Sequence, residues 1–171
     1  MLTEKRRRFQ VKIALKNNVP NINAVLEDFL FYAIYVPPGE RPPNRDIIKQ
    51  PDLASYINDW GSSDDTAVFA LDDGTVVGAC WSRCFPESSP GYGFIQPDIP
   101  ELSIAVSPAY RGKGIGSQLI AALLNHLKNR YSAVSLSVSR ENPAKRLYKR
   151  FGFEVVAESP DSLVMKKQLN L

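Results

Sequence analysis

The chain has few of the residues on which metal sites and covalent cross-links depend. It contains two cysteines, Cys80 and Cys84, and a single histidine, His126, among 171 residues. A structural zinc site needs four ligands of this kind, so these three residues are too few to make one. If the segment carrying the cysteines is a strand, their sulfur atoms lie about 13 Å apart, too far for a disulfide. We therefore expect no metal, and two cysteines that pack as apolar side chains.

The sequence also lacks long hydrophobic runs. Its most apolar stretch, residues 24–36, is too short to span a bilayer and contains Glu27 and Asp28. The chain begins like a basic signal peptide, but Lys12 interrupts the apolar segment that would have to follow. These features favour a cytoplasmic protein with no membrane partner.

Charge of one sign is not in large excess, since the formal net charge is +3. A nucleic-acid partner is therefore not expected, and exposed aromatic residues do not alternate with the basic ones. The distribution is uneven, however. Residues 140–150 hold five basic side chains and one acidic, which favours an anion. Residues 86–101 hold three acids and no base, which favours a cation; the acids are Glu87, Asp98 and Glu101.

The length and the hydrophobic periodicity predict one mixed α/β (α+β) domain. We assign residues 1–8 to a basic tail and residues 9–171 to a single domain. Helices are predicted at residues 22–33 and 51–60, after the turn at 111–116, and from Pro143 to Gly152 with Asn142 as the cap. Seven strands are predicted, at residues 9–15, 67–71, 75–84, 102–106, 133–138, 154–158 and 163–167.

Two segments are rich in proline and predict shaped loops. Residues 37–51 and 86–100 together hold nine of the thirteen prolines. Proline fixes the backbone angle φ, so such loops are stiff rather than floppy.

The strongest chemical signal is the glycine-rich sequence RGKGIG at residues 111–116, between a predicted strand and a predicted helix. The first N–H groups of a helix are unpaired and carry partial positive charge. Glycines allow an anion to approach these groups, and Arg111 and Lys113 add charge, so a phosphate or pyrophosphate site is predicted. The spacing fits neither the Walker A motif nor the dinucleotide fingerprint. A turn that only begins a helix is the alternative.

Two motifs in the second half of the chain occur together in one known family. Arg-x-x-Gly-x-Gly follows the strand ELSIAV, and Asn142-Pro-Ala-x-x-Leu-Tyr-x-x-Phe-Gly-Phe153 comes later. In type, order and spacing they resemble the motifs of the GNAT superfamily of N-acetyltransferases, over roughly residues 100–156. The resemblance implies a twisted, mixed, mostly antiparallel sheet that splays apart in its middle, with acetyl-CoA bound in the resulting V.

The resemblance also implies which residues bind the cofactor. Family members hold the pyrophosphate of CoA with the glycine-rich segment. They hold the pantetheine arm with the preceding strand and with the start of the later helix. On this sequence the corresponding residues are Ile104, Ala105, Val106, Arg111, Gly112, Lys113, Gly114, Ile115, Gly116, Ser117, Asn142, Ala144, Lys145 and Tyr148.

Two residues match the family's catalytic positions. Tyr148 lies where many members place a phenol that protonates the departing thiolate, and the two groups have similar pKa values, ~10 and ~8.5. Its helical spacing is equally that of a core residue. Glu101 lies in the strand where members often carry a carboxylate base; the alternative is a solvated charge at the end of a strand. His126 lies at the flank of a leucine stripe, and we expect a structural or solvent-exposed role for it.

The two proline-rich segments correspond to the loops that build the acceptor pocket in the family. The acids of residues 86–101 favour a cationic acceptor, such as a polyamine, an aminosugar, a lysine or an N-terminal amine. Candidate wall residues are Tyr32, Tyr35, Tyr92 and Phe94.

The function implied is that of an N-acetyltransferase, acting as a monomer or a homodimer. It would transfer an acetyl group from acetyl-CoA to a primary amine, on a small molecule or a protein, by direct attack in a ternary complex. The alternative is a CoA-binding sensor or interaction module of the same fold, without turnover.

Overall fold

The computed structural model describes residues 11–15 and 19–169. These residues form a seven-stranded sheet with helices on both faces, which confirms the mixed α/β fold. The strands are β1 Val11–Leu15, β2 Thr66–Asp72, β3 Thr75–Arg83, β4 Glu101–Val106, β5 Ala133–Ser139, β6 Glu154–Glu158 and β7 Ser162–Gln168. The helices are α1 Ile22–Ala33, α2 Pro51–Ala54, α3 Ile115–Leu127 and α4 Lys145–Arg150. The predicted basic tail at 1–8 lies outside the described residues.

The sheet opens between two of its central strands. The strand order is β1-β2-β3-β4-β5-β7-β6, and every neighbouring pair is antiparallel except β4 and β5, which are parallel. These two strands are joined by one residue pair, Glu101 with Ser135, beside a hydrogen bond from the Ser135 N–H to the Pro100 carbonyl (3.0 Å). Beyond this pair the strands part, as the splayed sheet requires, and Glu101 lies at the apex of the V.

The two faces of the sheet are covered by different helices. α3 buries its apolar stripe against one face, with Leu119, Ile120, Leu123 and Leu127 fully enclosed. α1 covers the other face through Leu26, Phe29 and Leu30. Side chains along β4 point alternately to the two faces of the sheet. Leu102 and Ile104 face α3, whereas Ala105 faces α1. The strand that carries Glu101 is therefore fixed from both sides.

The residues that the sequence analysis judged to be inert lie in ordinary surroundings. Cys80 is buried in the core, Cys84 is half-buried, and both are free thiols. His126 is exposed on α3. Within residues 11–15 and 19–169, no three His, Cys, Asp or Glu side chains are grouped as metal ligands. None of the helices in these ranges has the length and hydrophobicity to cross a membrane.

The predicted second helix is much shorter than expected. Residues 51–60 were predicted to be helical, but α2 ends at Ala54 and turns follow. Helix-type hydrogen bonds continue to Asn58, whose N–H binds the Ala54 carbonyl (2.8 Å), and the next residue, Asp59, has a φ of +52°, which no helix allows. The Arg83 guanidinium on β3 binds the carbonyls of Ser55 (2.8 Å) and Asn58 (2.7 Å) and fastens this turn to the sheet.

Two further boundaries differ from the prediction. The first proline-rich segment contains a 3-10 helix at Arg45–Lys49, which begins where Asn44 Oδ1 accepts the Asp46 N–H (2.9 Å). The last helix begins at Lys145 rather than at Pro143. Asn142 Oδ1 does accept the Ala144 N–H (3.0 Å), but the cap closes a tight turn that precedes the helix. Residues 86–100 contain neither helix nor strand, as predicted.

A buried ion pair fastens the turn after α2 to the sheet. Arg83 donates two hydrogen bonds to Asp65, Nε to Oδ1 (3.0 Å) and Nη2 to Oδ2 (2.8 Å). Burial by itself disfavours the charged carboxylate, but Arg83 and the N–H groups of Gly61 and Ser62 hold the pKa of Asp65 below its usual value. Loss of one partner from such a pair typically costs about 3–5 kcal/mol. The pair thus holds in place the turn that carries Tyr56.

Candidate active site

The opening between β4 and β5 leads into a cavity of about 1060 Å³. This volume is at the upper end of the range of small-molecule sites, roughly 300–1,000 Å³. Lys113 and Lys145, both predicted to bind the cofactor, do not line it. The other predicted site residues do: Glu101, Ile104, Ala105, Val106, Arg111, Gly112, Gly114, Ile115, Gly116, Ser117, Asn142, Ala144 and Tyr148.

The glycine-rich segment presents open backbone to this cavity. Gly112 and Gly114 have φ angles of +75° and +80°, and a Cβ atom added at either would meet nothing within 4 Å. The hydrogen bond from the Gln118 N–H to the Gly114 carbonyl (3.3 Å) is the first helical hydrogen bond of α3. The N–H groups of residues 115–117 come before it and are therefore helix-start groups. Positive φ, empty space and helix-start N–H groups together fit a phosphate-binding cradle.

Arg111 has a different role in the structure from the one its charge suggests. Its Nε donates to the Val106 carbonyl (3.1 Å) and its Nη2 to the Tyr32 carbonyl (3.4 Å). The side chain therefore links the end of β4 to the end of α1 across the cavity wall. Its cation still lies beside the cradle, since Arg111 lines the same cavity.

Glu101 is buried, with 3% of its surface exposed, so it is not a solvated charge at the end of a strand. Its Oε1 accepts hydrogen bonds from the Tyr56 hydroxyl (2.5 Å) and the Gly93 N–H (2.9 Å). Its Oε2 has no hydrogen-bond partner among the described residues. Burial raises the pKa of Glu101 to about 7, although both hydrogen bonds lower it. The carboxylate can therefore accept a proton near neutral pH.

Tyr56 positions Glu101, and the sequence analysis did not single it out. Its hydroxyl donates to Glu101 and accepts the Tyr92 N–H (2.8 Å). Its ring stacks on Tyr92 (centroids 6.3 Å apart) and meets Phe85 edge-on (5.0 Å). Burial and the neighbouring carboxylate raise the pKa of Tyr56, so the phenol remains a donor. Tyr56 was not recognised as a site residue because residues 51–60 were predicted to form an ordinary helix.

The backbone of the second proline-rich segment packs closely against β5 at the apex of the V. A Cβ atom on Gly93 would lie 2.7 Å from the Leu136 carbonyl carbon and 2.8 Å from the Ser137 nitrogen, both on β5. Only glycine fits such an approach. The sequence Gly91-Tyr92-Gly93 in a stiff loop was the available signal for it. The approach places the Gly93 N–H on Glu101.

The aromatic residues predicted for the acceptor pocket divide between cavity and core. Tyr32, Tyr35 and Tyr92 line the cavity, whereas Phe94 packs against the core beneath α1. The acids of residues 86–101 also divide. Glu101 lines the cavity, but Glu87 and Asp98 are exposed and do not. The predicted acids therefore do not gather inside the pocket.

Tyr148 lies both in the core and in the wall of the cavity. It is 8% exposed and packs edge-on against Phe153 (centroids 6.1 Å apart) in the core beneath α3. It also lines the cavity. Burial raises the pKa of its phenol, which therefore carries its proton at neutral pH.

Comparison with known proteins agrees with this architecture. The family model described as "Acetyltransferase (GNAT) family" matches residues 30–153. The chain belongs to the GNAT family. The match covers the splayed strands, the glycine-rich segment and α4, and it confirms the resemblance found in the two sequence motifs.

Individual acetyltransferases match shorter stretches. A mycothiol acetyltransferase from Saccharomonospora viridis is 32% identical over 99 residues, 57% of this chain and 32% of that protein. A spermine/spermidine N(1)-acetyltransferase from Bacillus subtilis is 39% identical over 56 residues, 31% of this chain and 37% of that protein. The chain thus spans about a third of the length of these curated relatives.

A solved GNAT structure shows the shared fold. The Salmonella typhimurium protein yncA, crystallised with its cofactor acetyl-CoA, matches with a TM-score of 0.63 and 20% identity. The match covers 94% of each chain.

Proposed function

We propose that this protein transfers an acetyl group from acetyl-CoA to a primary amine, by direct attack in a ternary complex. One observation carries the proposal. A buried carboxylate, one oxygen of which has no hydrogen-bond partner among the described residues, lies in the same cavity as an open glycine cradle and a buried phenol. The names of the relatives support the reaction class, since both are acetyltransferases.

The residues present fit acetyl-CoA, the cofactor of the family. The N–H groups at the start of α3 would hold the pyrophosphate, because Gly112 and Gly114 leave space beside them. Beyond Glu101, β4 has no pairing with β5, so backbone groups on that edge are free to bind the pantetheine arm. Asn142 and Ala144 line the opposite wall. Bound in this way, acetyl-CoA supplies an activated thioester.

Glu101 supplies the base in this proposal. An amine arrives protonated and must lose a proton before it can attack a carbonyl. Glu101 Oε2 accepts that proton, directly or through a water, while Tyr56 and Gly93 hold Oε1. With a pKa of about 7, the carboxylate is ionised at slightly alkaline pH and is a stronger base than an exposed glutamate.

Tyr148 supplies the acid. Its burial keeps the proton on the phenol, and its place in the cavity wall gives that proton access to a leaving thiolate. A backbone N–H on the open edge of β4 would bind the developing oxyanion, which requires no particular side chain.

Initial-rate kinetics with acetyl-CoA and amine both varied tests the ternary complex. We expect intersecting reciprocal plots and acetylated amine as the product by mass spectrometry. Parallel plots, with an acetyl group recovered on the protein, would contradict direct attack. Tight CoA binding without transfer to any small amine or peptide would instead support the sensor.

Replacement Tyr56→Phe should alter the pH dependence of the reaction. The variant loses a hydrogen bond that lowers the pKa of Glu101, so that pKa should rise by roughly one unit. The rise of kcat/KM with pH should then move to higher pH by the same amount. At pH values above the new pKa, kcat/KM should be close to that of the wild type. Tyr131→Phe is the matched control, since its hydroxyl binds Asp64 (3.0 Å) away from the cavity. A profile unchanged from wild type would contradict the positioning role.

Replacement Tyr148→Phe should lower kcat by roughly 10²- to 10⁴-fold, with little change in the KM for acetyl-CoA. Phenylalanine keeps the ring in the core, so the melting temperature should hardly change. Only the proton for the leaving thiolate is lost. Steady-state rates with acetyl-CoA varied measure both constants. If the Tyr148→Phe variant had the kcat of the wild type, Tyr148 would not be the acid and would have only its packing role in the core.

A further inference from the structure

The acceptor side of the cavity is aromatic and apolar, unlike the acidic pocket that the sequence favoured. The end of α1, the turn after α2 and the two proline-rich segments build its wall, which includes Tyr32, Tyr35, Pro42, Pro43, Tyr56 and Tyr92. Ile34 and Val36 extend the apolar surface. Tyrosine rings and prolines bury the body of an apolar molecule well.

The cavity offers few negative charges to balance a cation. Among the described residues that line it, the only acids are Glu101 and Asp161, against two bases, Arg111 and Arg150. Asp161 lies in the turn between β6 and β7 and is exposed, so solvent screens its charge. Glu101 is the acid beside the wall, because Tyr56 of that wall binds it.

Three acids of the surrounding segments are engaged elsewhere. Asp28 pairs with Arg45, and Asp46 pairs with Lys49 (2.8 Å). Asp52 accepts the hydroxyl of Tyr92. None of these three carboxylates lines the cavity. A ligand with two ammonium groups could therefore place one at Glu101, whereas the other would meet only the exposed, solvent-screened Asp161 or the apolar wall.

We propose that the acceptor is a monoamine, a primary amine with one positive charge on an apolar or aromatic body, rather than a polyamine. The inference rests on the proposed function, since it assigns the amino group to Glu101. A buried ammonium without a counter-charge is expensive, and attraction to ring faces offsets only part of that cost. An uncharged body instead gains from burial against the same wall.

Two amines of equal length give a direct test. Hexylamine and cadaverine have the same number of non-hydrogen atoms, and differ in that a terminal methyl group of the first is an ammonium in the second. We expect kcat/KM with saturating acetyl-CoA to be roughly tenfold or more higher for hexylamine. 2-Phenylethylamine should also be a good acceptor. Equal or faster acetylation of cadaverine would overturn the inference.

A designed variant tests the stated cause. Val36→Asp places a carboxylate in the apolar wall, and Val36→Asn is the matched control of the same size without charge. We expect the ratio of cadaverine to hexylamine activity to rise roughly tenfold in the Asp variant and to stay near wild type in the Asn variant. Equal ratios in the two variants would show that charge in the wall does not set the preference, against the inference.

The remaining outcomes separate this inference from the proposed function. Transfer to peptide N-termini or aminosugars but not to hexylamine would overturn the monoamine inference and leave the acetyltransferase intact. Failure to bind acetyl-CoA by calorimetry would overturn the proposed function itself.

Discussion

Glu101→Gln is expected to lower kcat/KM for the amine by about 10²- to 10⁴-fold near pH 8, the usual contribution of a general base. Glutamine has the shape of glutamate and can still accept the hydrogen bonds of Tyr56 and Gly93 through its Oε1. What it lacks is a titratable oxygen in the place of Oε2. The rate should fall while the affinity for acetyl-CoA is kept. The dependence of kcat/KM on pH through about pH 7 should also disappear.

Stability measurements on the same variant give a readout that does not depend on activity. The pKa of Glu101 is raised on folding from the ordinary 4.5 to about 7, so its ionisation opposes folding. Wild-type stability should therefore fall, relative to the variant, as pH rises from about 4.5 to 7. The difference should reach about 3 kcal/mol and then stay constant. Denaturant unfolding of both proteins over this range measures it.

A matched control separates this result from a general effect of removing an acid. Glu154→Gln makes the same change at an exposed position on β6 and should leave activity and its pH dependence unchanged. If Glu101→Gln keeps more than about a tenth of wild-type activity near pH 8, Glu101 is not the base.

Gly114→Asp is expected to weaken acetyl-CoA binding by about 100-fold or more, or ~2.7 kcal/mol. The added carboxylate enters the empty space beside the start of α3, where the pyrophosphate would lie. It opposes the phosphate charge and can cap the N–H groups that phosphate would otherwise use. An L-residue at a φ of +80° also strains the backbone, so some loss of stability should accompany the change.

The control Gly114→Asn isolates the charge. Asparagine has nearly the same volume as aspartate and suffers no greater strain at positive φ, but it is neutral. We expect it to weaken binding roughly tenfold less than aspartate does, by calorimetry with CoA. Wild-type affinity in both variants would mean that the glycine-rich segment is only a turn that begins α3.

The sequence predicted the elements well where periodicity and capping agree with tertiary packing. α1, α3 and the hairpin of β2 and β3 lie close to their predicted bounds, because their apolar faces are also their buried faces. The second helix was predicted too long, because Asp59 adopts a positive φ and Arg83, distant in sequence, holds the turn through the carbonyls of Ser55 and Asn58. No local pattern reports such an interaction.

The site was predictable only in part, for a related reason. The glycine-rich segment is local and carries its chemistry in its spacing, so its place at the start of α3 could be predicted. The surroundings of Glu101 depend on three separated segments, which contribute Tyr56, Gly93 and the strand itself. Its burial, and hence its raised pKa, follows from packing that the sequence does not state. The same is true of the apolar acceptor wall.

The most direct test of the central claim is amine-dependent release of CoA thiol from acetyl-CoA by the purified protein. The amines would include monoamines, polyamines, aminosugars and short peptides. We expect release that requires both the amine and acetyl-CoA, matches the acetylated product in amount, and is lost in Glu101→Gln. Thiol release that does not depend on any amine, or that survives in Glu101→Gln, would contradict that claim.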